Sequence, residues 1–242
     1  MHDRYQDAMA VVRVHGKPDL FITFTCNPRH PDILDNLLPG QQPQDRPDIV
    51  ARVFKGQLEE LISDLKDRQV FRKPVALVYT FEFQQRGLQH AHLLLTLDPA
   101  SKISSGEVID NAIRAELPMK RAIELRHTVL SCLIHTPCGT VNPHAQCMKD
   151  GRCSKHFPKE YCNETVWHEG DLHPSYRRRR PSEELSWLHE PYTSRGATHL
   201  IDSRNVVPYN PYLTSKYVPH QRRVLQLSEG VQVPLQVRVQ GA

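Results

Sequence analysis

His90 and His92 flank Ala91 in a run of strand-forming residues, and strand alternation sends both imidazoles out of one sheet face. Neighbouring imidazoles resist double protonation, and a divalent cation held by their neutral nitrogens removes that conflict. A further ligand belongs on the strand paired with them. Val75 to Phe83 reads as that strand, joined to His90–Leu97 through Gln85, Arg86, Gly87 and Leu88 as an antiparallel hairpin. Thr80, Glu82 and Gln84 share one face of it, with Glu82 the preferred oxygen ligand and Gln84 the alternative if the register differs by one step. Mixed imidazole and carboxylate ligation suits Mn2+ or Mg2+ in phosphoryl transfer, where the ion polarises a phosphate oxygen. The competing reading is a surface pair of ordinary histidines.

A second group of metal-binding residue types lies downstream. Cys26 stands alone, whereas Cys132, Cys138, Cys147, Cys153 and Cys162 crowd a segment rich in His and Gly. In PCGTVNPHAQCMKDGRCSKHFP, Cys138, Cys147, Cys153 and His156 have the ligand types of a tetrahedral Zn2+ site, with glycines and prolines for the turns. Only Cys153 and His156 have a tight gap, so His135, His144 and Cys162 stay open as substitutes. A loop-rich segment with few apolar residues gains from a metal crosslink the order that a core would otherwise supply. Reduced thiols without an ion are the alternative.

Arg177, Arg178, Arg179 and Arg180 follow Tyr176 and His173. Guanidinium groups can track a nucleic-acid backbone while an adjacent aromatic stacks on an unpaired base, although such runs are also common as solvated surface. Lys55, Lys66, Lys73 and Arg86 are weaker candidates for phosphate contact.

These residues need elements to hold them. Tyr5, Ala8, Met9 and Val12 have helical spacing, stopped by Gly16 and Pro18. Leu20 to Thr25 is a buried-strand pattern. Asp48 caps a helix whose apolar side is Val50, Phe54, Leu58, Leu61, Ile62 and Leu65, with Glu59, Glu60, Asp64 and Lys66 on the other side. After a loop over 98–107, helices are predicted at 108–117 and 121–134. The resulting class is α+β, an antiparallel sheet carrying the His pair centrally with helices on one face and a Cys/His insertion. The 242 residues are 39% hydrophobic and 24% charged, a globular balance. Lys and Arg number 31 against 27 acidic residues, and the net charge of +4 suits a polyanionic partner without requiring one. Apolar runs fall short of the roughly 18 residues that span a bilayer, and Met1 leads into polar His2, Asp3 and Arg4, so neither a membrane nor a secretory role is expected.

FEFQQRGLQHAHLLL, from Phe81 to Leu95, closely resembles the HUH motif of the Helitron transposase N-terminal region, the Helitron helicase-like domain. KPDLFITFTCNP from Lys17, RPDIVARVFK from Arg46 and VVPYNPYLTSKY from Val206 resemble further landmarks of that family, in order. The resemblance extends to Tyr217 and includes the PCG and CSK elements. It implies a Rep-like, HUH-type sheet and an endonuclease that nicks single-stranded DNA at transposon ends. In such enzymes a metal orients the scissile phosphate and a tyrosine attacks it, conserving the bond energy in a covalent link. It further implies a nuclear setting in a eukaryote, an intracellular one otherwise, and a full-length transposase as a partner. The corresponding organisation is a core over 1–134, a zinc segment over 135–165, a basic segment with the last family motif over 166–217, and an aberrant tail over 218–242. No G-x-x-x-x-G-K-[ST] loop occurs, so a helicase motor is not encoded in these residues.

Helitron proteins continue past the SKY element with two tyrosines four residues apart, a spacing that puts both hydroxyls on one helix face. This chain reads VPHQRRVLQLSEGVQVPLQVRVQGA instead, without tyrosine after Tyr217. Codons can be assigned to Pro219–Ala242 such that the shifted frame spells HINVEFCNSVKGSKYLFKYVYKG, with the catalytic pair beneath Val233 and Val237. A frameshifted tail leaves no nucleophile. The alternative is a divergent strand, since Val231, Val233, Leu235, Val237 and Val239 alternate with polar residues. Tyr212 and Tyr217 are poor substitutes because they sit in a Pro- and Asn-rich segment to which the resemblance gives a structural place. Sequencing the locus checks this reading: Val233, Val237 and Val239 should be encoded by GTA, and any other valine codon at the first two positions removes the hidden pair.

Overall fold

Leu20, Ile22 and Phe24 alternate with Phe21, Thr23 and Thr25 along β1 (Leu20–Thr25), giving the strand one wholly apolar face and one bearing two hydroxyls. The computed structural model describes residues 10–83, 88–102, 105–135, 137–166, 174–194, 196–217 and 227–229. It buries the apolar face completely, with Phe24 at 2% exposure and Leu20 and Ile22 at 0%. Residues 10–15 are helical, within the span where the first helix is expected.

The cover for that face is α1 (Pro47–Lys66). Proline's fixed φ suits the first helical position, and the helix starts there. Asp48 is therefore inside the first turn and not the cap. Its carboxylate accepts from Nε and Nη2 of Arg46 at 2.9 and 2.8 Å, which holds its pKa down to about 2. Val50, Phe54, Leu58, Leu61 and Leu65 are buried, and the Phe54 ring stacks on Phe24 with centroids 5.6 Å apart. Asp64, assigned to the polar side by its spacing, is fully buried and accepts from Arg68 at 2.6 Å. A buried carboxylate needs such a partner.

β2 (Pro74–Phe83) and β3 (Gln89–Leu97) pair antiparallel, as the hairpin reading requires. β1 pairs with the other edge of β3, and the strand Leu227–Glu229 adds to the far side of β1. The sheet order is therefore β2, β3, β1, then Leu227–Glu229, and the His strand is internal. Leu227–Glu229 belongs to the tail read as frameshifted. The rest of that tail, like Gln84, Arg86 and His173, lies outside the described residues.

A second compact unit is drawn from Ser105–Trp167 and Ser175–Arg223, so residues 105–134 group with the Cys/His segment instead of with the His pair. α2 (Gly106–Ala112) stops earlier than the predicted 108–117, because Ile113 turns extended and Arg114 forms a backbone bridge with Tyr209. A side chain at Gly106 would come 2.2 Å from the Thr165 carbonyl oxygen, so only glycine permits this close approach. α3 (Ile123–Cys132) supplies Val129 to a core shared with Leu117, Ile134, Ile201, Val206 and Tyr209. The unit continues through β4 (Met148–Lys149), β5 (Arg152–Cys153), β6 (His189–Ser194), β7 (Ala197–Asp202) and α4 (Pro211–Tyr217). The fold is α+β with antiparallel sheets, as expected.

Candidate metal centres

In the first unit, Ala91, Leu93 and Leu95 must face the apolar core, so His90 and His92 take the opposite face. Their ring centroids lie 4.6 Å apart with planes at 79°. Across β2, Glu82 stands opposite His90 and Thr80 opposite His92. The Glu82 carboxylate reaches diagonally, its Oε1 3.6 Å from Nε2 of His92. Exposure rises across this face from His90 at 6% to side-chain values of 34% for His92 and 59% for Glu82. Two imidazoles and one carboxylate thus share a face, donor types that divalent cations accept, but among the described residues the three do not converge as the Cys/His group of the second unit does.

The other flank of the pair is β1. Thr25 is opposite His90 and Thr23 opposite His92. Thr25 Oγ1 and His90 Nδ1 are 2.6 Å apart, and Thr23 Oγ1 and His92 Nδ1 are 3.5 Å apart. Phe21 stacks on the His92 ring, centroids 5.3 Å apart and planes at 15°. These three residues were absent from the candidates drawn from sequence. Their signal is the alternation Phe21, Thr23, Thr25 in FITFT, which gains meaning only when the register against the His strand is known.

In the second unit, His135, Cys138, Cys147 and Cys153 bring one donor atom each within 4.8 Å of one another. A group of this kind can hold a metal such as zinc. β4 and β5 create half of it. Asp150 and Gly151 both take positive φ, 49° and 75°, the two-residue turn that Asp-Gly favours between antiparallel strands. That hairpin pairs Cys153 with Met148, and Ser154 N–H donates to the Cys147 carbonyl at 2.7 Å. His135 arrives from beyond α3, with its N–H donated to the Asn205 carbonyl at 2.8 Å and its ring stacked on Phe157 at 4.2 Å. Its Nε2 is 3.5 Å from both Cys138 Sγ and Cys153 Sγ.

His156, the residue favoured by the short gap after Cys153, is not among these four. Its φ of 54° and its N–H bond to the Cys153 carbonyl make it part of the turn, and its side chain is exposed. His144 is exposed, and Cys162 donates to the Glu164 carbonyl. Burial, then Lys159 and Lys155, lowers the His135 pKa and favours the neutral, ligating imidazole. Cys138 is pushed up to about 12 by burial and by the neighbouring thiols of Cys153 and Cys147. Burial also opposes ionisation of Cys153, but the N–H groups of Phe157 and Lys155 and the other two thiols outweigh it, and the net shift is down. Sulfur atoms crowded this closely resist joint ionisation, and a divalent cation relieves that repulsion.

The basic run turns inward. Arg178 is 3% exposed and donates to the carbonyls of Ala115, Val206 and Ser203. Burial lowers its pKa to about 10. Arg179 makes a bidentate pair with Glu116 at 3.0 and 2.7 Å, and Arg177 pairs with Asp110 at 3.0 Å. Tyr176 is buried. The expected nucleic-acid stripe is thus largely internal pairing, since these groups satisfy carbonyls and carboxylates of their own unit. Arg180 is exposed, with its guanidinium 4.6 Å from the Tyr161 ring centroid. Lys55 and Lys73 lie near Glu59 and Asp98, each at 3.7 Å.

Tyr209 is fully buried, donates to the Glu116 carbonyl at 3.1 Å, and has its pKa raised by burial. Tyr217 is 8% exposed and Tyr212 is 45% exposed. Among the described residues, no helix is long and apolar enough to cross a membrane.

Residues 1–95 match the family model described as the Helitron helicase-like domain at the N-terminus. No curated protein matches the chain. The family match ends inside β3, just beyond His90 and His92, so both histidines and their partners on β1 and β2 fall within it. Residues 1–95 are thus similar to the Helitron helicase-like domain.

Proposed function

From the similarity to a Helitron helicase-like domain and a sheet that carries the His pair, we propose a HUH-type, Rep-derived site that binds Mn2+ or Mg2+ and single-stranded DNA of transposon ends but does not cut it. His90, His92 and Glu82 hold the ion, with Gln84 as a further ligand. The observation that carries the reading is the register: Glu82 is opposite His90, and its carboxylate is 3.6 Å from Nε2 of His92. Such an ion, when bound, supplies polarisation of a phosphate oxygen. The side chains bind and orient: the half-exposed edge at Glu82 admits a phosphate, while buried His90 anchors the ring pair. A domain of this type points to a transposase-related role and to association with nucleic acid or a transposase.

Cutting needs a nucleophile, and residues 218–242, where the family resemblance expects the tyrosine pair, contain no tyrosine. Tyr209 and Tyr217 are buried phenols, which leaves Tyr212 the most exposed of the three. A covalent step also requires the reacting oxygen within about 3–3.5 Å of phosphorus, and the frameshift reading removes the residues that would meet this condition. The chain is then a binding remnant, and any nicking at its target falls to a full-length transposase.

In the second unit, Zn2+ held by His135, Cys138, Cys147 and Cys153 is structural, because four protein donors leave no open position for substrate. A second reading, a noncatalytic zinc-dependent nucleic-acid-binding module, is favoured by the close convergence of these donors. The two readings differ at one residue. In filter binding with a labelled transposon-end oligonucleotide and manganese, the His-pair reading expects His90→Ala to lose metal-dependent binding by about tenfold or more. Unchanged binding in His90→Ala, lost instead on zinc removal, selects the zinc module. A covalent adduct that disappears in Tyr212→Phe would overturn the noncutting assignment.

Zinc content gives a separate check. The purified chain should hold about one zinc ion, lost in His135→Ala and Cys153→Ser and kept in His156→Ala. Chelation should also lower the melting temperature, because the metal crosslinks a segment with little core of its own. Retention of zinc in His135→Ala with loss in His156→Ala would reverse the ligand assignment.

A further inference from the structure

The face of β1 behind the His pair carries two buried hydroxyls where packing alone would favour hydrocarbon. Thr25 is 4% exposed and Thr23 6% exposed, both on an internal strand. Valine has the shape of threonine, fits a strand equally well and avoids the cost of desolvating a hydroxyl. A hydroxyl at such a position therefore has polar work. At Thr25 the distance identifies it: Oγ1 lies 2.6 Å from Nδ1 of His90, itself 6% exposed.

A neutral imidazole carries its proton on one nitrogen and its lone pair on the other. A hydrogen bond at Nδ1 consequently determines what Nε2 can do. We propose that Thr25 is a positioning residue for the His pair: its hydroxyl accepts the Nδ1–H of His90, fixing both the ring orientation and the tautomer whose Nε2 lone pair serves a cation. This assignment rests on the cation reading of the pair. It follows the general rule that a ligating imidazole donates its second nitrogen's proton to an oxygen behind it.

Thr23 holds a weaker version of the same place. Its Oγ1 is 3.5 Å from Nδ1 of His92, at the outer limit for a hydrogen bond. His92 is oriented instead by Phe21, stacked on its ring at 5.3 Å, and by Glu82 on the side of Nε2. The two histidines are thus held by different means, a hydroxyl for the buried ring and an aromatic face for the exposed one. The hydroxyl dependence should be unequal between them.

Manganese chloride titrations of the full chain test this, alongside nitrogen-15 NMR of the histidine side chains in metal-free protein. Thr25→Val should weaken manganese binding by about 10- to 100-fold. Thr25→Ser should restore it, and Thr23→Val should cost much less. In the parent, His90 should show protonated Nδ1 and unprotonated Nε2, and Thr25→Val should lose that preference. Thermal melting identifies a variant that has failed to fold, and the Thr25→Ser protein and the parent tautomer still decide the matter. Parent-like affinity in folded Thr25→Val, or protonated Nε2 on His90 in the parent, overturns the positioning role. A parent that binds no manganese instead overturns the cation reading of the site, and the positioning role for a ligand falls with it.

Discussion

Everything proposed for the first unit depends on strand alternation under a buried face. Ala91, Leu93 and Leu95 are committed to the core with Leu20, Ile22 and Phe24, and α1 seals them with the Phe54 ring against Phe24. A shift of one residue in the pairing of β3 would put leucines in water and both imidazoles in the core. The hydrophobic cost of that shift makes the His register rigid. It also determines the neighbours, because the same pairing aligns Glu82 on one flank and Thr25 on the other.

The second unit solves a different problem. Its Cys/His segment has short elements and little apolar content, so order comes from polar links. Arg178 gathers three carbonyls at the centre, and Glu116 receives Arg179 beside it. Buried guanidinium groups cost desolvation and repay it only when their donors are satisfied. The Asp150–Gly151 turn folds the cysteine hairpin, and the bond from His135 to Asn205 brings the imidazole to it.

Much of the first unit was legible because its signals are local. The strand pattern of Leu20–Thr25, the amphipathic spacing of Val50 to Leu65 and the hairpin around the His pair all reappear as elements with nearly the expected bounds. The role of Thr25 was hidden, since it depends on pairing between residues 65 apart in sequence. His135 was an open substitute for His156, and spacing favoured the wrong member of that pair for proximity to the cysteines, because a turn with positive φ carries His156 away. The arginine run looked like surface for a related reason. Glu116 was expected inside a helix, but that helix ends at Ala112 and leaves the carboxylate at a bend in irregular chain, where Arg179 meets it.

The most direct test is anomalous diffraction at the manganese edge from crystals of the chain grown or soaked with manganese. Two ligating imidazoles require a peak in contact with both His90 and His92 on the side of Glu82, and its loss in crystals of His92→Ala. Manganese that appears elsewhere in ordered crystals, with those rings unliganded, would contradict the cation site from which the proposed function follows.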